Sequence, residues 1–308
     1  MDEDVDGIEI ISRVEPGMCG GTSATRDTKA PKTIISEEMT LFNVTSSFSG
    51  CAPGPGTVLD FIPLGYLSAF AAKADKGYLL CLETAEGTGY HPRHDISFAL
   101  VKNDIFPALV ALVKKHDLAK NNGFNAFTHG LPENFGGSVD IRYASGERIY
   151  FSDNRSPILA PKAAREIADV FTEAMKGDKA ELPDIEGLKE IIFDEKRKDG
   201  GFTKARLAIR PDGTGINHKQ SKYDGPKVYE SEKEVDADTV EVIKRNITDC
   251  GVLAREGLPS NGFSLGNEKS LAFIFDGGER IEVRDDRIVP GCLGRAFFNI
   301  ELEMTVKH

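Results

Sequence analysis

The sequence predicts an α+β protein built from two tandem repeats, each an antiparallel sheet with a helix packed on one face, in the order β-β-β-α-β-β. Three observations carry this expectation. Short motifs recur in the same order at nearly constant spacing. Glu86-Gly87-Thr88-Gly89 returns as Asp212-Gly213-Thr214-Gly215 (212 − 86 = 126), Gly130-Leu131-Pro132 as Gly257-Leu258-Pro259 (257 − 130 = 127), and Gly146-Glu147-Arg148-Ile149 as Gly278-Glu279-Arg280-Ile281 (278 − 146 = 132). The last pair lies in two hairpins with the same apolar face. An amphipathic helical stripe precedes each hairpin.

Taken in chain order, residues 1–31 read as a flexible acidic leader. Asp2, Glu3, Asp4, Asp6, Glu9, Glu15 and Asp27 outnumber Arg13, Arg26 and Lys29 there, and the segment has little to bury. The first module spans 32–177. Strands are expected at roughly 38–48, 77–84 and 95–101, and residues 49–76 are extra, with no element assigned. Asp104 caps a helix whose stripe is Ile105, Leu109, Leu112 and Val113, with Pro107 tolerated in the first turn. Val139, Ile141 and Tyr143 then alternate with polar residues, turn at Ser145-Gly146, and return through Ile149 and Phe151. A second helix starts at Pro161 and carries Ala164, Ile167, Phe171, Ala174 and Met175 on one face.

Residues 178–187 form a polar linker, and the second module spans 188–308. Its strands are expected at 188–195, 203–210 and 226–232. Asp236 or Asp238 caps a helix with the stripe Val240, Ile243 and Ile247. Leu271, Phe273 and Phe275, a Gly277-Gly278 turn, and Ile281 and Val283 repeat the hairpin. Beyond it, Phe298, Ile300, Leu302, Met304 and Val306 alternate strictly, which favours a terminal strand over 296–306. A helical stripe of Leu293, Phe297, Ile300 and Met304 fits the same residues.

Composition narrows the function. A chain of 308 residues, 40% hydrophobic and 28% charged, is neither disordered, collagen-like nor a small disulfide scaffold. A net charge of −11 argues against nucleic acid and anionic membrane surfaces as partners. No window reaches the roughly 18 apolar residues that cross a bilayer. The five cysteines, Cys19, Cys51, Cys81, Cys250 and Cys292, form no C-x-x-C pair and fit reduced thiols in a cytoplasmic protein. Cys19-Gly20-Gly21 before a Ser/Thr-rich stretch leaves an alternative, a surface protein lipid-anchored through Cys19.

The run Gly130 to Asn154, GLPENFGGSVDIRYASGERIYFSDN, resembles a G-L-P-x-x-F-G, Y-x-S-G-E, S-D-N pattern in uncharacterised proteins of anaerobic gut bacteria. The resemblance covers about residues 32–175 well and the second half more loosely. It implies a bacterial source and supplies no activity.

Several motifs point to chemistry and are outweighed by plainer readings. Gly262-Phe263-Ser264-Leu265-Gly266 matches the nucleophile elbow, but it sits in a loop before a hairpin strand rather than on a strand-to-helix turn. Asp2-x-Asp4-x-Asp6-Gly7 opens like a calcium loop, yet the twelfth position is Arg13 where a bidentate Glu is needed. The Gly-rich stretch Ser49 to Thr57 lacks the Lys of a P-loop, and its prolines remove backbone donors. His91, His94 and Asp95 follow one repeated turn and His218 the other. They could shuttle protons or hold a metal, but surface histidines explain them as well. Asp153-Asn154 and Asp285-Asp286 end the two hairpins at equivalent positions, where a binding tip competes with ordinary turn chemistry.

The expectation is therefore a non-catalytic binding or interaction protein that needs no cofactor or metal. Its partner would be a protein or a small ligand meeting the open sheet faces or the inter-module cleft. The rival is an enzyme working in that cleft near His91, His94 and His218.

Overall fold

A computed structural model of the chain describes residues 7–12, 21–48, 64–86, 93–131, 136–223, 225–260, 267–285, 289 and 291–305. The fold is mixed α+β, dominated by two sheets. The chain forms two compact units, Met1–Ala72 with Tyr78–Lys179, and Lys73–Gly77 with Ala180–His308. Among the described residues no helix is long and apolar enough to cross a membrane.

The first unit contains β1 (Ile8–Ser12), β2 (Thr22–Asp27), β3 (Met39–Ser47), β4 (Leu64–Ala74), β5 (Gly77–Glu86), β6 (Arg93–Val101), α1 (Phe106–Lys115), β7 (Phe124–Thr128), β8 (Gly137–Tyr143), β9 (Arg148–Asp153) and α2 (Pro161–Ala174). Its nine strands run in the order β1-β2-β7-β9-β8-β3-β4-β5-β6. The expected alternation holds in β8 and β9, where Val139, Ile141, Tyr143, Ile149 and Phe151 are all buried. Gly146 makes their turn with φ +87°, a conformation that favours glycine. The Asp104 carboxylate accepts from the Phe106 amide at 2.8 Å at the start of α1. Leu109, Val110, Leu112 and Val113 of α1 and Ala164, Ile167 and Phe171 of α2 join one apolar cluster with Phe42, Val44, Leu67, Val139 and Ile141. Phe42 and Phe171 meet with ring centroids 6.0 Å apart. Removing either fully buried ring from water contributes about 2–3 kcal/mol.

Four features of this unit differ from the expectation. The stretch read as a flexible leader supplies β1 and β2. The apolar side chains of β1 stay outside, with Ile8, Ile10 and Ile11 37–45% exposed, and β2 buries only the small Ala24. Order there comes from backbone pairing of β2 with β7 rather than from burial, so composition does not betray it. The unassigned region 49–76 contributes β4, which has no alternation because both of its faces are covered: Leu67, Ala69, Phe70, Ala71 and Ala72 are each fully buried. A further strand, β7, follows α1. The sheet is also not wholly antiparallel, since β7 and β9 pair in parallel.

The second unit contains β10 (Leu188–Arg197), β11 (Phe202–Ile209), β12 (Gly215–Lys222), β13 (Val228–Val235), α3 (Ala237–Asp249), β14 (Asn267–Phe275), β15 (Arg280–Arg284) and α4 (Gly291–Thr305). The sheet runs β13-β12-β11-β10-β14-β15 and is antiparallel throughout. Asp236 caps α3 by accepting from the Thr239 amide at 2.7 Å. Val240, Ile243 and Ile247 share a core with Ile191, Phe193, Leu207, Leu271, Phe273 and Ile281.

Here too the structure corrects the expectation. Four strands precede α3, because the polar segment Gly215–Lys222 pairs between β11 and β13. The C-terminal segment is the helix α4, not a strand: Phe297, Ile300 and Met304 are buried while Phe298 is 59% exposed. In the linker, Asp178 accepts from the Lys102 amide at 2.8 Å, and Ile185–Gly187 forms a 3-10 turn capped by Asp184.

Candidate functional site

The sequence-selected residues are divided between the two units, and some lie outside the described residues. His91 and Asp286 lie outside the described residues, as do Cys19 and the segment 262–266. His94 pairs through its backbone with Ala85, and Asp95 is exposed opposite Thr84 on β5. His218 stands in the other unit, on the outer face of β12, with Nδ1 3.0 Å from Glu232. Asp285 is exposed, and its amide donates to the Lys269 carbonyl at 3.0 Å. Among the described residues no three His, Cys, Asp or Glu side chains are arranged to hold a metal ion.

Asp153 and Asn154 end β9 with separate tasks. Burial pushes the Asp153 carboxyl up, but the Arg155 guanidinium 2.7 Å away more than offsets this, so the group sits below its usual range. The Asn154 amide accepts from the Thr128 amide at 2.7 Å and donates to its carbonyl at 3.0 Å. The side chain thereby extends the parallel pairing of β7 and β9 by one rung.

That rung borders a concavity on the outer face of the first sheet. Successive pairings place Thr25, Asn125, Ser152, Ser138, Thr45 and Ser68 opposite one another in a single row across β2, β7, β9, β8, β3 and β4. All but Ser68 line a cavity of about 430 Å³, together with Ser23, Ala126, Phe127, Gly137 and Asn154. The row is partly self-bonded. Ser152 donates to Asn125 Oδ1 at 3.1 Å, and the Thr45 and Ser138 hydroxyls lie 3.2 Å apart. Thr45 Oγ1 also accepts from the Ser138 amide at 3.0 Å. Gly137 permits a close approach of the strands below the groove: a Cβ there would fall 2.1 Å from the Thr45 carbonyl oxygen. Phe127 stands at the rim, 54% exposed, with the His129 ring edge-on at 5.0 Å.

Beside this row the outer face turns charged. Burial pushes the Asp140 carboxyl up, and Arg142 and Arg148 together pull it back below its usual range. Asp140 accepts from Arg142 at 2.9 Å and from Arg148 at 2.7 Å, so the carboxylate is shared between two guanidiniums and the trio keeps one positive charge.

The second unit has its own polar region. Past Phe193 the inner face of the sheet changes from apolar to ionic. A smaller cavity of about 170 Å³ is lined there by Glu195, Arg197, Thr203, Lys219, Tyr223, Glu301 and others. Its charges are largely used within the fold: Lys269 bridges toward Glu301 and Glu195, and Lys219 donates to the Thr305 carbonyl.

Two members of the hydroxyl row could be read from the sequence, since Ser138 and Ser152 alternate with Val139 and Phe151 and so face away from the core. Thr25 and Asn125 of the row, and Ser23 beside it, could not, because they lie in strands that the side-chain pattern does not announce. No protein-family model matches this chain, and no curated protein matches it either.

Proposed function

We propose that the chain is a non-catalytic binding protein that takes its ligand in the hydroxyl-lined groove of the first sheet. One observation carries this reading: a row of uncharged hydrogen-bonding side chains, held in register by paired strands and open to solvent. Sites built on sheet strands hold their groups more rigidly than loop sites do.

We also propose that the two units descend from one duplicated α+β module with its helix on one sheet face. In support, the order β6-β5-β4-β3-β8-β9 in the first unit corresponds strand for strand to β13-β12-β11-β10-β14-β15 in the second. The helix α1 falls at the same point in the chain order as α3, and α2 at the same point as α4. Strands β1, β2 and β7 have no counterpart, and two of them build one flank of the groove. The resemblance to the gut-bacterial proteins joins this reading through the same groove, since Gly137, Ser138, Ser152 and Asn154 lie within the shared motif run.

A thermal-shift screen of the full chain against oligosaccharides, peptides and small anions tests the binding reading. A true ligand raises the melting temperature in proportion to its occupancy. The rise is expected to vanish in Ser138→Arg, which fills the groove from the middle of the row. Hits that act equally on that variant, or compounds converted during incubation, overturn it.

A further inference from the structure

We infer, resting on the binding reading above, that the groove takes an uncharged oligosaccharide. The lining sets the ligand's charge first. None of the ten described residues that line the groove carries a formal charge, in a chain of which 28% is charged. An ionic ligand entering it would lose water and gain no counter-charge. Two charged groups beside the row, Asp140 and Asp153, already hold arginines at 2.7–2.9 Å.

Hydrogen-bonding character sets the class next. Hydroxyls donate and accept at one atom, and Asn125 adds an amide with both. Among the described residues its Nδ2 reaches only the Gly123 carbonyl, at 3.5 Å, which leaves donor capacity toward the groove. Neighbouring sugar hydroxyls offer the same mixed capacity. The exposed Phe127 ring gives an apolar surface for the C–H face of a sugar ring, and its edge-on contact with His129 fixes its pose.

Other polymers fit less well. A peptide strand needs an unpaired sheet edge, but β7, β9, β8 and β3 are each paired on both sides beneath the groove. Nucleic acid needs cationic side chains for its phosphates. The row from Thr25 to Thr45 crosses five strands, roughly 19 Å at ordinary strand spacing, so an extended oligomer fits better than one ring.

Isothermal titration of the full chain with neutral gluco-, manno-, galacto- and xylo-oligosaccharides tests this, beside uronate-containing and sulfated counterparts. We expect saturable binding of a neutral member that is insensitive to added salt. Phe127→Ala should weaken it about five- to tenfold, because the lost ring contact is worth roughly 1 kcal/mol. The ring is exposed, so the variant should keep its fold, checked by circular dichroism. Preference for charged oligomers, no binding by any member, or binding unchanged in both Phe127→Ala and Ser138→Arg overturns the inference. A non-saccharide ligand blocked by Ser138→Arg would sink the saccharide assignment alone. A chain with no ligand at the groove would sink both proposals.

Discussion

Lys269 of β14 places its ammonium 2.7 Å from the carboxylate of Glu301 on α4, and 3.9 Å from that of Glu195. One cation thus stands between two acids on the ionic part of the inner face. Burial dominates at Glu301 and pushes its carboxyl above the usual 4.5; Lys269 pulls it down, and Glu195 and Asp285 push it up again. A carboxyl raised in the folded state binds more protons there than in the unfolded chain. Stability therefore falls as pH climbs from 4.5 through the folded value. Glu301→Gln is expected to hold or raise the melting temperature at neutral pH and to flatten that decline. Lys269→Met leaves the acids without their cation and should cost about 1–3 kcal/mol at neutral pH, recovering in acid. Urea denaturation across pH checks both. Equal losses in the two variants would contradict the account.

Asp140 behaves in the opposite sense. Its burial is outweighed by Arg142 and Arg148, and its carboxyl lies below the usual 3.8. Such a group stabilises the fold above 3.8 and loses that contribution as pH falls through the folded value. Asp140→Asn should cost about 1–3 kcal/mol at neutral pH, since it leaves two guanidiniums short of an acceptor. The gap to the parent protein should close in strong acid, as denaturation midpoints would record. A gap that persists there would assign the loss to packing instead.

Legibility in the sequence followed coverage of the sheet faces. The hairpin of β8 and β9 was readable because one face is buried and the other open, which forces alternation. Helices α1, α2 and α3 were readable from an apolar stripe, with a capping acid before α3 and Pro161 opening α2; the N-cap of α1 is Ile105, one residue after the expected Asp104. Strand β4 was hidden because burial of both faces replaces alternation with a run of small apolar residues. Strand β12 was hidden for a different reason: its inner-facing Asn217 and Lys219 bond to the Met304 and Thr305 carbonyls at the end of α4, so even that face is polar. Strands β1 and β2 owe their place to backbone pairing, which side-chain pattern does not report. The groove inherits this limit, because one flank of it is β2.

The C-terminal segment gives the sharpest test of periodicity. Alternation makes Phe298 a core residue and Phe297 a surface one, and the helix reverses them, with Phe297 2% and Phe298 59% exposed. Both periods fit because Ile300 and Met304 belong to both stripes. Phe297→Ala should cost about 3–5 kcal/mol through the cavity it leaves. Phe298→Ala should change stability by less than about 0.5 kcal/mol, as exposed substitutions do. Denaturation of the two variants side by side decides, and the reverse ranking would restore the strand.

Asn122 is a buried clasp that no motif announces. Only 2% exposed, it donates from Nδ2 to the Pro31 carbonyl at 2.9 Å and to the Arg148 carbonyl at 2.8 Å, and its Oδ1 accepts from the Tyr150 amide at 2.7 Å. One side chain thereby ties the chain before β3 to the start of β9. Asn122→Asp preserves the shape but replaces two donors with a carboxylate oxygen facing two carbonyls. The expected cost is about 2–4 kcal/mol at neutral pH, at least that of Asn122→Ala. The new carboxyl is held above its ordinary value by those carbonyls, so the folded state takes up a proton and stability should rise as pH falls toward that value. Urea titrations at neutral and mildly acidic pH measure this. A cost that does not change with pH, or an alanine variant as stable as the parent, would show that the clasp is not what holds these segments together.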